Sequence, residues 1–236
     1  MKKRLIVFFM CIVFIMGLTI GNLTAAELNE TITAVLNKTL TIKLNGKEYI
    51  PLDADGSRLY PISYKGRTYL PVRALAEAVS LAVDYKDNVV YLGEKDRIPL
   101  VGEDFENLWT SQFSENKSSL LVNGKQYNWG IVFTGKESGI YEFSGFVYPK
   151  AKYQKFGGIV CMDDTDGSTE EVVVRIREND YEGRVLKEIT VKKGESIPFE
   201  IDIANIKTLY IQNLVIDRTP KNTNPDILMI AEPYFK

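Results

Sequence analysis

Residues 141–177, YEFSGFVYPKAKYQKFGGIVCMDDTDGSTEEVVVRIR, decide the fold. They read as strand, loop, strand, acidic turn, strand. Phe143, Gly145 and Val147 alternate with Glu142, Ser144 and Phe146, the period-two pattern of a strand with one buried face. Residues 156–162 form a short apolar run without helical spacing. Asp163, Asp164, Asp166 and Gly167 then supply turn chemistry. Val172, Val174 and Ile176 alternate with Val173, Arg175 and Arg177. Such strands are unstable alone, so flanking segments must complete a second sheet.

Working outward, strand patterns continue at 130–133, 185–191, 197–203 and 208–216, with a closing strand at 227–231. Turn residues separate them at short intervals, which predicts an antiparallel β-sandwich. Toward the N-terminus, strand-like runs at 31–36, 40–44, 47–52, 62–64 and 68–70 precede a helix over 71–79. Val72, Leu75, Ala76 and Val79 share one face of that helix, and Pro71 suits its first turn. A hairpin over 83–92 follows. Asn45-Gly46, Lys65-Gly66 and Asn123-Gly124 each sit between strand-like runs, a tight-hairpin signal. The expected fold class is therefore a small α+β N-terminal domain at 30–93 and an all-β sandwich at 106–236. The polar stretch 94–105 reads as a linker, continuing into the start of the second domain.

The chain opens with Lys2, Lys3 and Arg4, then an apolar run over 5–20 and small residues ending at Ala26. This pattern predicts a secretory signal peptide over 1–26, with export and no stable membrane span after cleavage. An uncleaved membrane anchor is the competing reading. The whole chain carries 29 Lys and Arg against 31 Asp and Glu. Losing the leader removes three positive charges, so no overall attraction to nucleic acid is expected. Beyond the leader, Cys161 has no cysteine partner, so no internal disulfide forms. The chain has no histidine, which excludes Ser-His-Asp and Cys-His catalysis and histidine-ligated copper or zinc.

Two resemblances to known families follow from particular motifs. The runs LTIKLNGKEY, YPISYKGRTYLPVRALAEAV and VDYKDNVVYL resemble the copper amine oxidase N-terminal domain, or stalk domain, of secreted Gram-positive bacterial proteins. The oxidase reaction belongs to a separate catalytic domain, so this resemblance implies a spacer or docking unit. It departs at Ser80-Leu81, where a glycine is usual, and at Tyr85, where tryptophan is frequent. VNGKQYNWGIVF, YEFSGFVYPKAKYQKFGGIVCMDD, EEVVVRIREND and IANIKTLYIQ resemble the NPCBM/NEW2 group, galactose-binding-like jelly-roll sandwiches often attached to carbohydrate-active enzymes. That resemblance implies a carbohydrate-binding sandwich without catalysis.

Tyr127, Asn128, Trp129, Tyr148 and Tyr153 are the candidate sugar-binding residues. Pyranose C–H faces stack on aromatic rings while polar neighbours meet the hydroxyls. Trp129 is favoured, because Asn128 and Gly130 flank it and its N–H is available for a hydroxyl. The competing reading buries these aromatics in the core. Asp163, Asp164 and Asp166 are candidate ligands for a structural calcium ion, set against a solvated acidic turn. They lack the remainder of an EF-hand loop. No carboxylate pair stands out for glycoside hydrolysis. Lys150, Lys152 and Lys155 interleave with Tyr148 and Tyr153, a solvated loop able to touch anionic cell-wall polymer. The expected function is a secreted, non-catalytic protein that binds carbohydrate or cell-wall polymer. The alternative is a structural envelope protein whose sandwich contacts another protein and binds no sugar.

Overall fold

The computed structural model describes residues 30–109, 111–133, 144–164, 170–215 and 228–236. The expected leader lies outside them, as does Asp166. Among the described residues, no helix is long and apolar enough to cross a membrane. The described residues form two compact units, one within 30–50 and 59–70, the other within 51–58 and 71–236.

The first unit holds β1 (Val35–Leu36), β2 (Ile42–Leu44), β3 (Lys47–Tyr49), β4 (Ile62–Tyr64) and β5 (Arg67–Tyr69). β4 lies between β1 and β5, while β2 and β3 pair as a separate hairpin. Asn45 and Gly46 turn that hairpin with φ of 50° and 81°, the two left-handed positions such a turn requires. Asn37 closes the return from β1 to β2, its Oδ1 accepting from the backbone N–H groups of Thr39 and Leu40.

The second unit begins its regular structure with helix α1 (Val72–Ala78), β6 (Val83–Lys86) and β7 (Val89–Leu92). Then come β8 (Ile98–Pro99), β9 (Phe105–Trp109), β10 (Ser111–Ser114), β11 (Leu121–Val122) and β12 (Lys125–Gln126). The sandwich continues through β13 (Gly130–Phe133), β14 (Ser144–Val147), β15 (Lys155–Met162) and β16 (Glu171–Glu178). It finishes with β17 (Val185–Lys192), β18 (Ser196–Asp202), β19 (Leu209–Val215) and β20 (Leu228–Phe235).

Two antiparallel sheets face each other. One runs β10-β13-β20-β15-β18, with β8 also paired to β20; the other runs β17-β16-β19-β14-β9. The alternation of the opening stretch sets their inner faces. Phe156, Val160 and Met162 from β15 meet Val172, Val174 and Ile176 from β16 in one core, together with Ile230 and Phe235 of β20. Burial of these apolar side chains is the main force holding the sheets together. A smaller core covers part of the first sheet's outer face. There the β11–β12 hairpin sets Leu120, Val122 and Tyr127 over Val132, Cys161 and Met229.

The structure departs from the expected domain layout in two places. The stretch 94–105, expected as a linker, contains β8, whose Ile98 and Pro99 pair with Phe235 and Tyr234. Leu100 is buried there and donates its N–H to the Pro233 carbonyl. The segment α1–β7, expected within the N-terminal domain, belongs to the same compact unit as the sandwich. Gln154 explains why. Its side chain accepts from the Ala82 N–H at 3.0 Å and donates to the Ser80 carbonyl at 3.3 Å and Asp202 at 2.8 Å. Asn205 also donates to the Glu77 carbonyl at the end of α1, at 3.2 Å. Asp84 of β6 is clamped by Lys95 at 2.6 Å and Lys152 at 3.8 Å.

Gln154→Ala strips the buried Ala82 N–H of its acceptor. The expected cost is about 1–3 kcal/mol of stability, the penalty for orphaning a buried donor. Thermal denaturation of the full chain measures it, and a change within experimental scatter would mean Gln154 does not anchor this segment.

Candidate functional site

The outer face of the first sheet is only partly covered. Where the β11–β12 hairpin stops, a groove of about 620 Å³ opens across the strands. Its floor is Gly158 and Ile159 of β15, and its walls carry Arg97, Trp129, Pro198, Glu200, Glu232 and Tyr234. These residues come from three separate strands and two connections, brought together by register.

Local irregularity shapes the groove. The pairing of β15 with β20 slips between Gly157 and Ile159. Opposite the slip, Glu232 adopts a φ of 47°. A bulge of this kind twists the strand and re-aims its side chains. Gly157 is required by close approach: a Cβ there would stand 2.5 Å from the Tyr234 ring and 2.9 Å from the Phe199 carbonyl. The bare backbone lets Tyr234 lie against β15.

Trp129 enters from the connection between β12 and β13. Its carbonyl accepts the Glu232 N–H at 2.9 Å, and its indole Nε1 donates to the Pro233 carbonyl at 3.0 Å. The expectation that this N–H serves a ligand hydroxyl is therefore corrected. The hydrogen bond instead fixes the ring's orientation, so its contribution is an apolar surface. Asn128, exposed beside it, donates to Glu232 Oε1 at 2.9 Å.

Across the groove, Tyr234 donates its hydroxyl to Glu200 Oε2 at 2.9 Å. The Arg97 guanidinium lies 4.4 Å from the centre of the same ring. Burial, then the hydrogen bond to Glu200 and its charge, hold the Tyr234 phenol above its ordinary value, while Arg97 partly opposes them. Tyr234 is thus a neutral donor throughout the physiological range. The groove combines aromatic surface with guanidinium donors and carboxylate acceptors. Hydroxyl groups both donate and accept, so this set suits a polyhydroxylated ligand.

The other sequence candidates lie elsewhere. Tyr127 is 1% exposed in the smaller core, its hydroxyl 3.4 Å from Cys161 Sγ, so it is a packing residue. Tyr153 stacks on Phe235 with centroids 4.5 Å apart and planes 6° apart, against the main core. Its ring also carries Lys95 Nζ at 4.6 Å, which ties it to the α1–β7 segment. Tyr148 belongs to the second sheet's side and donates to Glu106; that acceptor pushes its phenol up to about 12. Of the five, Trp129 lines the groove, and Asn128 meets it through its hydrogen bond to Glu232.

Asp163 is buried and Asp164 exposed, and Asn123 secures both ends of that turn. Its Nδ2 donates to the Met162 carbonyl and its Oδ1 accepts the Asp164 N–H. Among the described residues, no group of three or more His, Cys, Asp or Glu side chains converges to hold a metal.

Sequence reading missed Arg97, Glu200, Glu232 and Tyr234. The alternation in β18 held a signal for Glu200, since Phe199 and Ile201 point inward and leave it on the outer face. Arg97 carried none, because it lies in a polar stretch that resembles a linker.

Compared with protein-family models and with curated proteins, the chain finds no match. Among solved structures it is similar to the M60 catalytic domain with the CBM51-1 and CBM51-2 domains from Clostridium perfringens ZmpB. That match has a TM-score of 0.44 and 14% identity, and covers 86% of this chain but 19% of the other. A second is CBM51 from Clostridium perfringens GH95 in complex with methyl-galactose, at TM-score 0.39 and 11% identity, covering 59% of this chain and 99% of the other. A third is TmCBM27, a carbohydrate-binding module that recognises mannan, at TM-score 0.36 and 9% identity, covering 60% of this chain and 99% of the other.

Proposed function

We propose that the protein is an extracellular, non-catalytic carbohydrate-binding protein whose ligand lies in the groove beside Trp129 and Tyr234. One observation carries the reading: an aromatic surface with its N–H already satisfied lines an open groove together with a guanidinium and two carboxylates. Sugar rings need that division between an apolar face and polar edges. The first 26 residues have the pattern of an export leader, which supports a role outside the cell. Lacking histidine, the chain is expected to give no copper-dependent amine oxidation.

Titration of the full chain with a glycan panel, read by calorimetry, tests the proposal. Trp129→Ala is expected to weaken binding by about 1–3 kcal/mol, as for an aromatic at the heart of a contact. Circular dichroism checks that the variant is folded. Unchanged affinity in folded Trp129→Ala would move the ligand away from this groove, and no binding to any glycan would end the reading.

A further inference from the structure

We infer that the groove takes an internal stretch of a neutral oligosaccharide, longer than one ring, and discriminates against anionic polymer. The inference rests on the carbohydrate reading above and narrows its ligand class. Length comes first. The groove crosses from Trp129, at the start of β13, over β20 and β15 to Glu200 on β18. Three strand-to-strand steps of ~4.8 Å put its ends about 14 Å apart. Its volume of about 620 Å³ lies within the range of ~300–1,000 Å³ that houses drug-sized molecules, which are larger than a single pyranose. Polar groups stand at both ends, Glu232 held by Asn128 beside Trp129 and Glu200 bonded to Tyr234 on the β18 side. A single ring would leave one end unsatisfied.

Charge decides the second part. Glu200 and Glu232 face the groove against one guanidinium, Arg97. Each glutamate commits one oxygen within the protein, Glu200 to Tyr234 and Glu232 to Asn128. The remaining carboxylate oxygens are acceptors that suit hydroxyl donors. A sugar acid would bring its own carboxylate against them, and like charges brought together at an interface are strongly disfavoured.

The probes are glucose, galactose and N-acetylglucosamine with their di-, tri- and tetrasaccharides, set against oligogalacturonates of matched length. Each is titrated into the full chain by calorimetry. In at least one neutral series, affinity is expected to rise about tenfold or more from the monosaccharide to the trisaccharide, a step of ~1.4 kcal/mol. Oligogalacturonates of equal length are expected to bind more weakly. The changes Glu200→Gln and Glu232→Gln, made together, are expected to narrow the gap between neutral and anionic ligands. A monosaccharide that binds as tightly as its trisaccharide would overturn the length assignment. Tighter binding of oligogalacturonate, or an unaltered gap in the double variant, would overturn the charge assignment. Absence of binding in every series would remove the carbohydrate reading and this inference with it.

Discussion

Tyr127→Ala is expected to lower stability by about 3–5 kcal/mol, the usual cost of deleting a buried aromatic side chain. The affinity of the molecules that remain folded should not change. Tyr127 is two residues from Trp129, yet the two have opposite roles. The β11–β12 hairpin presses Tyr127 onto Val132, Cys161 and Met229, where it is 1% exposed. Removing the ring leaves a cavity between hairpin and sheet, and the Cys161 thiol loses its hydroxyl neighbour. Chemical denaturation gives the stability and titration of the folded fraction gives the affinity. A stability loss below ~1 kcal/mol would contradict the packing role. Weaker binding by well-folded molecules would return Tyr127 to the site.

Lys95→Met is expected to cost about 3 kcal/mol at neutral pH, the lower end of the range for breaking a buried ion pair. The Lys95 and Asp84 side chains are 8% and 13% accessible, and Met preserves much of the packing over Tyr153. The Asp84 carboxylate would then keep the Lys152 ammonium, at 3.8 Å, and the Tyr85 backbone N–H. Burial pushes the Asp84 carboxyl up, but the hydrogen bond and charge of Lys95, joined by the charge of Lys152, hold it below its ordinary value. A carboxyl lowered on folding contributes stability above its unfolded value, near ~3.9, and loses it as pH falls through the lowered folded value. The native chain should therefore lose this contribution below about pH 4. The difference between native and Lys95→Met should shrink over the same window, since the variant's Asp84 is relieved by protonation. Urea melts at neutral and acid pH measure both effects. A difference that stays constant with pH would show that Lys95 acts through packing alone.

The sandwich was legible wherever local chemistry and burial agree. Asn123-Gly124 turns a hairpin because both residues take left-handed φ, 51° and 76°. β13 was readable as Gly130–Phe133 because all four residues are buried and apolar. β8, β9 and β10 escaped notice for the converse reason. β9 and β10 are edge strands, with Glu106, Asn107 and Gln112 turned to solvent, and a polar edge reads as a connection. The attachment of the α1–β7 segment was hidden too. It depends on Gln154, Asn205 and the Asp84–Lys95 pair, which sequence cannot match to their distant partners. Trp129 was found because a tryptophan beside Asn and Gly stands out. Tyr234, which shares its groove, sits beside Pro233 beyond the expected closing strand.

The place of β20 bears on how the protein is made. It is the last strand in chain order, yet it lies between β13 and β15 at the middle of its sheet. Until it arrives, the inner edges of β13 and β15 have no neighbour to bond, and half of the groove has no wall. A chain produced N-terminus first must therefore carry two open strand edges from the completion of β15 until β20 is made. Such edges invite pairing with other chains. Assembly of the sheet is a late event that joins residues far apart in sequence, which favours slow folding. The groove is walled only once β20 is in place, so under the proposed function binding competence arrives with that strand.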